Sequence, residues 1–336
     1  MGAAATAWGQ NDPVAAMAWV DTFPSTQAHD TALQNILGQL SKTDPKSALS
    51  YLSQIDNPAT QNQAMAQIAN NWAQQDLPGA IAAMQSLPPS SGVNTAMNSL
   101  VNTWAQNDPA GAAAFAQKQQ GTPYYDSVIQ NVASSWGSTD SQAALNWAQS
   151  LPVDAGRNLA LTQVVGQMAN TDPQAAWNLA SQMATNGTGP DTTASVLNKW
   201  AVLDPASAAQ VLPSLENDPT RRNIQTAQIA MNWIKQDQQA ASQWVDTLPP
   251  SPGRDQAAGL LVSASLQQNP ATAFQWAMSI NPINNLRDSS LNQVINTWAR
   301  TDPAAATAAV QNANISEQQR ANLLNNIQRL APRNSN

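Results

Sequence analysis

The side chains in this chain with the means to do chemistry are its aspartates, its tryptophans, one histidine and a scatter of arginines. One position recurs ten times, as Asp12, Asp44, Asp76, Asp108, Asp140, Asp172, Asp204, Asp237, Asn269 and Asp302, at intervals of 32 or 33 residues. A row of carboxylates suggests metal binding or acid catalysis. Stacked helices, however, lie about 10 Å apart, and a metal ion needs its oxygens within about 2.0–2.6 Å, so no two copies can share one ion. The residue after the aspartate points elsewhere: Pro13, Pro45, Pro109, Pro173, Pro205, Pro270 and Pro303 stand directly next to it. Proline loses no hydrogen bond at the first position of a helix, and a side-chain oxygen just before it accepts the free N–H groups of the first turn. The repeated aspartates are therefore expected as structural caps.

Twelve tryptophans suggest stacking on sugar rings. Eleven of them fall on two periodic positions, four residues before the aspartate (Trp8, Trp72, Trp104, Trp136, Trp200, Trp233, Trp298) or seven after it (Trp19, Trp147, Trp244, Trp276). Such periodicity predicts core. Trp177 alone is off register and is expected to be the exposed one, available to a partner or a glycan. The sole histidine, His29, stands beside Asp30 at a helix start and is expected as a solvated cap residue. The chain has no cysteine, which excludes disulfides and thiolate chemistry yet fits a reducing or an oxidising compartment. GxSxG elbows, phosphate-cradling glycine loops and HExxH are absent from the sequence. With only two glutamates, Glu216 and Glu317, the carboxylic acid pair of a glycosidase is not expected. No catalytic residue, cofactor or metal is predicted.

One polar stripe is left. Just ahead of the tryptophan position stand Asn70 and Asn71, Asn102 and Thr103, Ser134 and Ser135, Asn198 and Lys199, and Asn296 and Thr297. It reads either as a solvated outer face or as a hydrogen-bonding contact surface for a protein partner, a glycan or another copy of the chain.

These positions are set by paired helices. The first helix of each unit carries apolar residues at i, i+3, i+4 and i+7, as in Met65, Ile68, Ala69 and Trp72, or Met97, Leu100, Val101 and Trp104. After the aspartate a second helix opens. Its fourth residue past the aspartate is alanine in all ten copies (Ala16, Ala48, Ala80, Ala112, Ala144, Ala176, Ala208, Ala241, Ala273, Ala306), preceded by Ala, Gly, Ser or Thr. So small a residue at a fixed place predicts close helix contact. The second helices end at PhePro (Phe23, Pro24), at LeuPro (Leu87, Leu151, Leu212, Leu248) or near Pro58, Pro123 and Pro282, since proline after a helix enforces the stop. The connection AsnGlyThrGlyPro at 186–190 is the longest, and a local break is expected there.

A fixed period of this size is the signature of a repeat array. The expectation is an all-α, right-handed α-solenoid of about ten helix-turn-helix repeats, one domain over residues 1–336: a truncated first repeat at 1–24, repeats at 25–312 and a capping helix at 315–331. The first repeat supplies only the last turns of its first helix, so an upstream segment or leader is expected to have stood before Met1.

Composition bounds the partners. Acids outnumber Lys plus Arg by 21 to 14, for a net charge of −7, which argues against nucleic acid. Charged residues are 10% of the chain, against about 25% in typical soluble proteins; amides and hydroxyls meet the water instead. No apolar run reaches 18 residues, so no membrane insertion is expected. The lysine-poor, amide-rich surface predicts an exported protein, secreted, periplasmic or on the cell surface.

The Trp-Ala-x-x-Asp-Pro-x-Ala-Ala unit resembles tandem repeats found in many uncharacterised bacterial proteins, over nearly the whole chain. An Arg near the start of the first helix (Arg157, Arg221, Arg254, Arg287, Arg320) followed by an AspPro turn is similar to HEAT-like repeats of the bilin-lyase type; in other units His29, Gln61, Asn94, Tyr125 and Gly189 stand there. The arginines are expected near the C-terminal ends of the preceding second helices, with Asp246 as an acidic partner. The resemblance implies a scaffold that binds partners and carries no chemistry at these positions. Function is accordingly expected to be non-enzymatic. The alternatives are a subunit that assembles end to end into an extracellular filament, and a glycan-binding module.

Overall fold

The computed structural model describes residues 7–22, 24, 27–185, 190–215, 217–283 and 285–331. Phe23, Glu216 and residues 186–189 of the long connection, where a break is expected, lie outside them. Among the described residues every regular element is a helix.

The chain divides into two compact units, Met1–Met168 and Ala169–Asn336. The first holds α1 (Pro13–Val20), α2 (Gln27–Leu40), α3 (Pro45–Ser50), α4 (Pro58–Ser86), α5 (Ser91–Asn107), α6 (Pro109–Lys118), α7 (Tyr125–Thr139), α8 (Ser141–Ser150) and α9 (Ala155–Met168). α4 is two helices run together, with Asp76 at φ −149° and ψ 85° marking the join. The second unit holds α10 (Pro173–Thr185), α11 (Pro190–Leu203), α12 (Pro205–Ala209), α13 (Pro219–Gln236), α14 (Gln238–Thr247), α15 (Pro252–Ser265), α16 (Pro270–Ser279), α17 (Asn285–Thr301), α18 (Pro303–Asn312) and α19 (Glu317–Leu330).

Each unit has the same packing plan. First helices lie side by side, α2 on α4, α4 on α5, α5 on α7 and α7 on α9; in the second unit the order is α11, α13, α15, α17, α19. Second helices form the other layer, each packed within its unit against the first helix before it or after it and, in most cases, against both. The apolar spacing explains this. Counting back from the aspartate, positions eight and seven are fully buried in every described first helix: Ile36 and Leu37, Ile68 and Ala69, Leu100 and Val101, and so on to Val294 and Ile295. The alanine four past the aspartate is fully buried in all ten copies, because a side chain of one methyl lets the second helix sit close on its neighbours.

Two second helices break early. α3 stops at Ser50 and α12 at Ala209, each continued by a short 3-10 turn, Leu52–Gln54 and Leu212–Leu215. For α12 the cause is Pro213, whose ring would meet the carbonyl of Ala209 in a continued α-helix.

Candidate functional site

The aspartates are built into the joints between helices. Each side chain accepts from the backbone N–H three residues on: Asp12 from Ala15, Asp44 from Ser47, Asp76 from Gly79, Asp108 from Gly111, Asp140 from Ala143, Asp172 from Ala175, Asp204 from Ser207, Asp237 from Ala240 and Asp302 from Ala305, with Asn269 accepting from Thr272. The distances run from 2.9 to 3.1 Å, normal for N–H to oxygen. In eight copies the residue at that third position is Ala, Ser or Thr, whose Cβ is compatible with the bond. In two copies it is glycine, and a Cβ on Gly79 or Gly111 would collide with the carboxylate as it stands. At Asp108 the room lets the second oxygen take Trp104 Nε1–H at 3.3 Å. Where the third residue is serine, its hydroxyl adds a bond, and that bond, ahead of the backbone one, holds the carboxyls of Asp44 and Asp204 below the usual carboxylate range.

The two periodic tryptophan positions pack ring against ring within a repeat: Trp8 on Trp19, Trp104 on Phe115 and Trp136 on Trp147 tilted, and Trp233 on Trp244 stacked, with centroids 5.4–6.0 Å apart. Such contacts suit offset aromatic pairing. Most of these rings are buried or half-buried. Trp8 is the exception, at 42% exposed.

Trp177 corrects an expectation. It is buried, at 7% exposed, because the fifth position past the aspartate is itself a core position facing the next first helix. Met17, Ile81, Leu145 and Phe274 occupy it elsewhere, all buried, and Phe274 lies 6.1 Å from Trp298 on the following helix. Trp177 is therefore no part of an exposed surface.

The polar stripe splits. Asn102, Thr103, Asn198 and Asn296 are exposed. Others tie neighbouring first helices together: Asn71 Nδ2 donates to Gly38 O and Ser41 Oγ at 3.0 and 2.8 Å, Asn70 Oδ1 accepts from Ser99 Oγ at 2.7 Å, and Ser134 Oγ accepts from Gln167 Nε2 at 3.2 Å. Ser135 and Thr297 are half-buried. The glutamine before the aspartate does the same work twice, Gln75 Nε2 donating to Lys42 O and Gln236 Nε2 to Val202 O, both at 2.7 Å. Part of the stripe is thus seam between helices and part is free surface.

The first helices begin on a second polar position that sequence reasoning overlooked. Fourteen residues before the aspartate stand Asp30, Asn62, Asn94, Asp126, Asn158, Asn223, Asp255 and Asp288. Several of these reach forward to the start of the next repeat. Asp30 accepts from the N–H of Asn57 at 2.8 Å and of Asp56 at 3.3 Å, Asp255 from the N–H of Asn281 at 3.2 Å, Asn223 from the N–H of Gly253 at 3.2 Å, and Asn62 donates to Ser91 Oγ at 3.0 Å. The signal was present as a column of Asp and Asn, hidden by the stronger tryptophan and aspartate columns.

His29, just before this position, is also a correction. It is buried at 7% exposed, with Nδ1 3.4 Å from Asp30 and Nε2 3.7 Å from Asp21. The place it occupies faces the end of a second helix, where Gln61 and arginines stand in other repeats. Gln61 Nε2 donates to Leu52 O at 3.0 Å, and Arg254 Nη1 to Ser279 O at 2.7 Å and Ser279 Oγ at 3.1 Å. Arg320 Nη2 donates to Ala313 O at 2.9 Å. These are carbonyls that a helix end leaves unmet, and a cation there is favoured by the helix dipole. For Arg254 the helix served is α16, which comes after it, so Ser279 takes the place expected for Asp246.

In the second unit this rim of helix ends carries grooves. One of about 710 Å³ is lined by Arg287, Asp288, Asn314 and Leu323 among others, one of about 420 Å³ by Arg254, Asp255, Met278 and Arg287, and one of about 540 Å³ by Arg222, Trp244 and prolines 213, 249 and 250. Among the described residues no cluster of His, Asp and Glu could hold a metal ion, and no helix is long and apolar enough to cross a membrane. Comparison with known protein families, curated proteins and solved structures gives no match.

Proposed function

We propose that the chain is a non-enzymatic, exported repeat scaffold whose helix pairs stack as a right-handed α-solenoid of about ten units and bind a macromolecular partner through an extended surface. The observation that carries this reading is where the chemistry-bearing residues have gone. Every repeated aspartate that a metal or an acid catalyst would need already accepts a backbone N–H, and the tryptophans are mostly paired ring against ring. The part of the polar stripe that faces solvent is amide and hydroxyl, as at Asn102, Thr103, Asn198 and Asn296. Such groups donate and accept without the desolvation cost of charge, which suits contact along a long surface. The resemblance to HEAT-like repeats and the one-per-repeat spacing support the same conclusion.

The test is a photo-crosslinking residue placed at Asn102, at Asn296 and, as the opposite layer, at the exposed Gln243 of α14, in cells making the protein. Adducts from the first two sites and none from Gln243 are expected. Adducts from Gln243 alone, or from no site, overturn the reading. Adducts to a second copy, with light scattering that grows on concentration, would make self-assembly the function.

A further inference from the structure

Six arginines stand near the starts of first helices or the last helix, and five of them are accounted for by ordinary partners or by water, Arg222 being half-exposed. Arg221 pairs with Asp218 and donates to Thr193 Oγ1 at 2.9 Å, Arg320 pairs with Glu317 and donates to a backbone carbonyl, Arg254 makes two bonds to Ser279, and Arg157 is half-exposed. Arg287 differs in its burial and in lacking an acidic partner, although Arg320 Nε likewise meets no hydrogen-bond partner. It is 8% exposed, it forms no ion pair among the described residues, and its Nε meets no hydrogen-bond partner. Its Nη2 makes two long contacts, 3.4 Å to Asn314 O and 3.6 Å to Met278 Sδ. Arginine stays charged at any physiological pH, and a buried cation without a counter-ion is costly. The side chain also lines both the groove of about 710 Å³ and that of about 420 Å³.

We infer that Arg287 anchors a binding site for a carboxylate carried on a peptide-like chain, seated in the larger groove. The inference rests on the partner-binding reading above and names the chemistry of one contact. Guanidinium presents parallel N–H groups that fit the two oxygens of a carboxylate. The walls favour a single negative charge over two: Asp288 lines the same groove, so a doubly charged phosphate would meet repulsion there. The rest of the polar lining, Gln318 included, is amide apart from the Ser316 hydroxyl, and Pro282, Ile315 and Leu323 supply the apolar part. Amides both donate and accept, which is what a peptide backbone requires. The volume falls within the usual span of about 300–1,000 Å³ for small-ligand sites.

The probes are acetyl-trialanine with a free terminal carboxylate, the same peptide as its amide, and acetyl-Ala-Asp-Ala amide, which carries its carboxylate on a side chain. Each is titrated into the full-length chain while the Arg Nε–H resonances are followed by NMR. Both carboxylate probes are expected to move the Arg287 resonance, the amide is not, and whichever carboxylate binds more tightly identifies the source. Inorganic phosphate is expected to bind more weakly than either. Arg287→Gln should weaken binding by about tenfold or more, the worth of a charge-assisted bond, and Arg287→Lys, which keeps charge and loses the fork, by less. Should Arg287→Gln fail to fold, Gln318→Glu leaves the arginine in place and is expected to weaken the carboxylate probes alone. The proposal is overturned if the amide binds equally, if neither Arg287→Gln nor Gln318→Glu changes affinity, or if nothing binds at millimolar concentration. Crosslinks from Asn102 and Asn296 without carboxylate binding would sink this site and leave the scaffold. Carboxylate binding without crosslinks would do the reverse.

Discussion

Replacing Asp108 by alanine tests the assignment of the repeated aspartates most directly. The carboxylate accepts from Gly111 N at 2.9 Å and from Trp104 Nε1 at 3.3 Å. Losing an N-cap acceptor costs about 1 kcal/mol, and losing a negative charge beside the helix N-terminus adds about 0.3–1 kcal/mol. The Trp104 contact adds little, because that ring is half-exposed and water can replace the oxygen. The expected loss is therefore about 1–2 kcal/mol. In a domain the size of the Met1–Met168 unit, that lowers the melting temperature by roughly 2–8 °C. Asp108→Asn should cost less than half as much, since Asn269 accepts from Thr272 N at 3.1 Å in the same role. Urea unfolding followed by circular dichroism measures all three proteins. An Asp108→Ala protein with an unchanged midpoint, or Asp108→Asn as damaging as Asp108→Ala, would refute the capping account. Asp302→Ala, whose acceptor role at Ala305 N is the same, should cost a similar amount.

Two further changes probe the start of the first helix and the charge of the caps. A Cβ on Gly253 would lie 2.7 Å from Asn223 Cα and 2.8 Å from its carbonyl oxygen, so Gly253→Ala should destabilise by about 1–3 kcal/mol; at Gly92 the nearest atom is a movable Asn62 side-chain oxygen, so Gly92→Ala should cost clearly less in the same urea assay. The depressed pKa of Asp204, caused first by the Ser207 hydroxyl, means its cap contributes fully above the ordinary carboxylate pKa of about 3.9 and is lost as pH falls through the lower folded value; Ser207→Ala should move the Asp204 titration upward by NMR, and an unmoved titration would contradict the cause assigned.

The parts of this architecture legible in sequence were those fixed within four residues of one another. Asp108 capping Gly111 is one, and the spacing of Met97, Leu100, Val101 and Trp104 along one face is another. Both depend on helix geometry alone. The parts that escaped depend on what lies across a seam. Trp177 reads as off register until the next first helix is seen to face it, and His29 reads as solvated until Asp21 comes within 3.7 Å. The arginines illustrate the same limit. Their spacing placed them at helix ends, yet whether Arg254 serves the helix before it or after it is a matter of three dimensions, and the carbonyl of Ser279 leaves no mark in a sequence.

The bonds that tie successive first helices span 28 to 34 residues, as from Arg221 to Thr193, Asn62 to Ser91, Asn71 to Gly38 and Gln236 to Val202. No such tie needs distant parts of the chain to meet, so each closes a loop of modest and nearly constant entropy. Chains with such local contacts fold quickly and can start anywhere along their length. Under mechanical load the same feature has another consequence. Pulled from its ends, each unit is expected to give way one period at a time, releasing chain in equal steps and shortening again by the same steps when the force is relaxed.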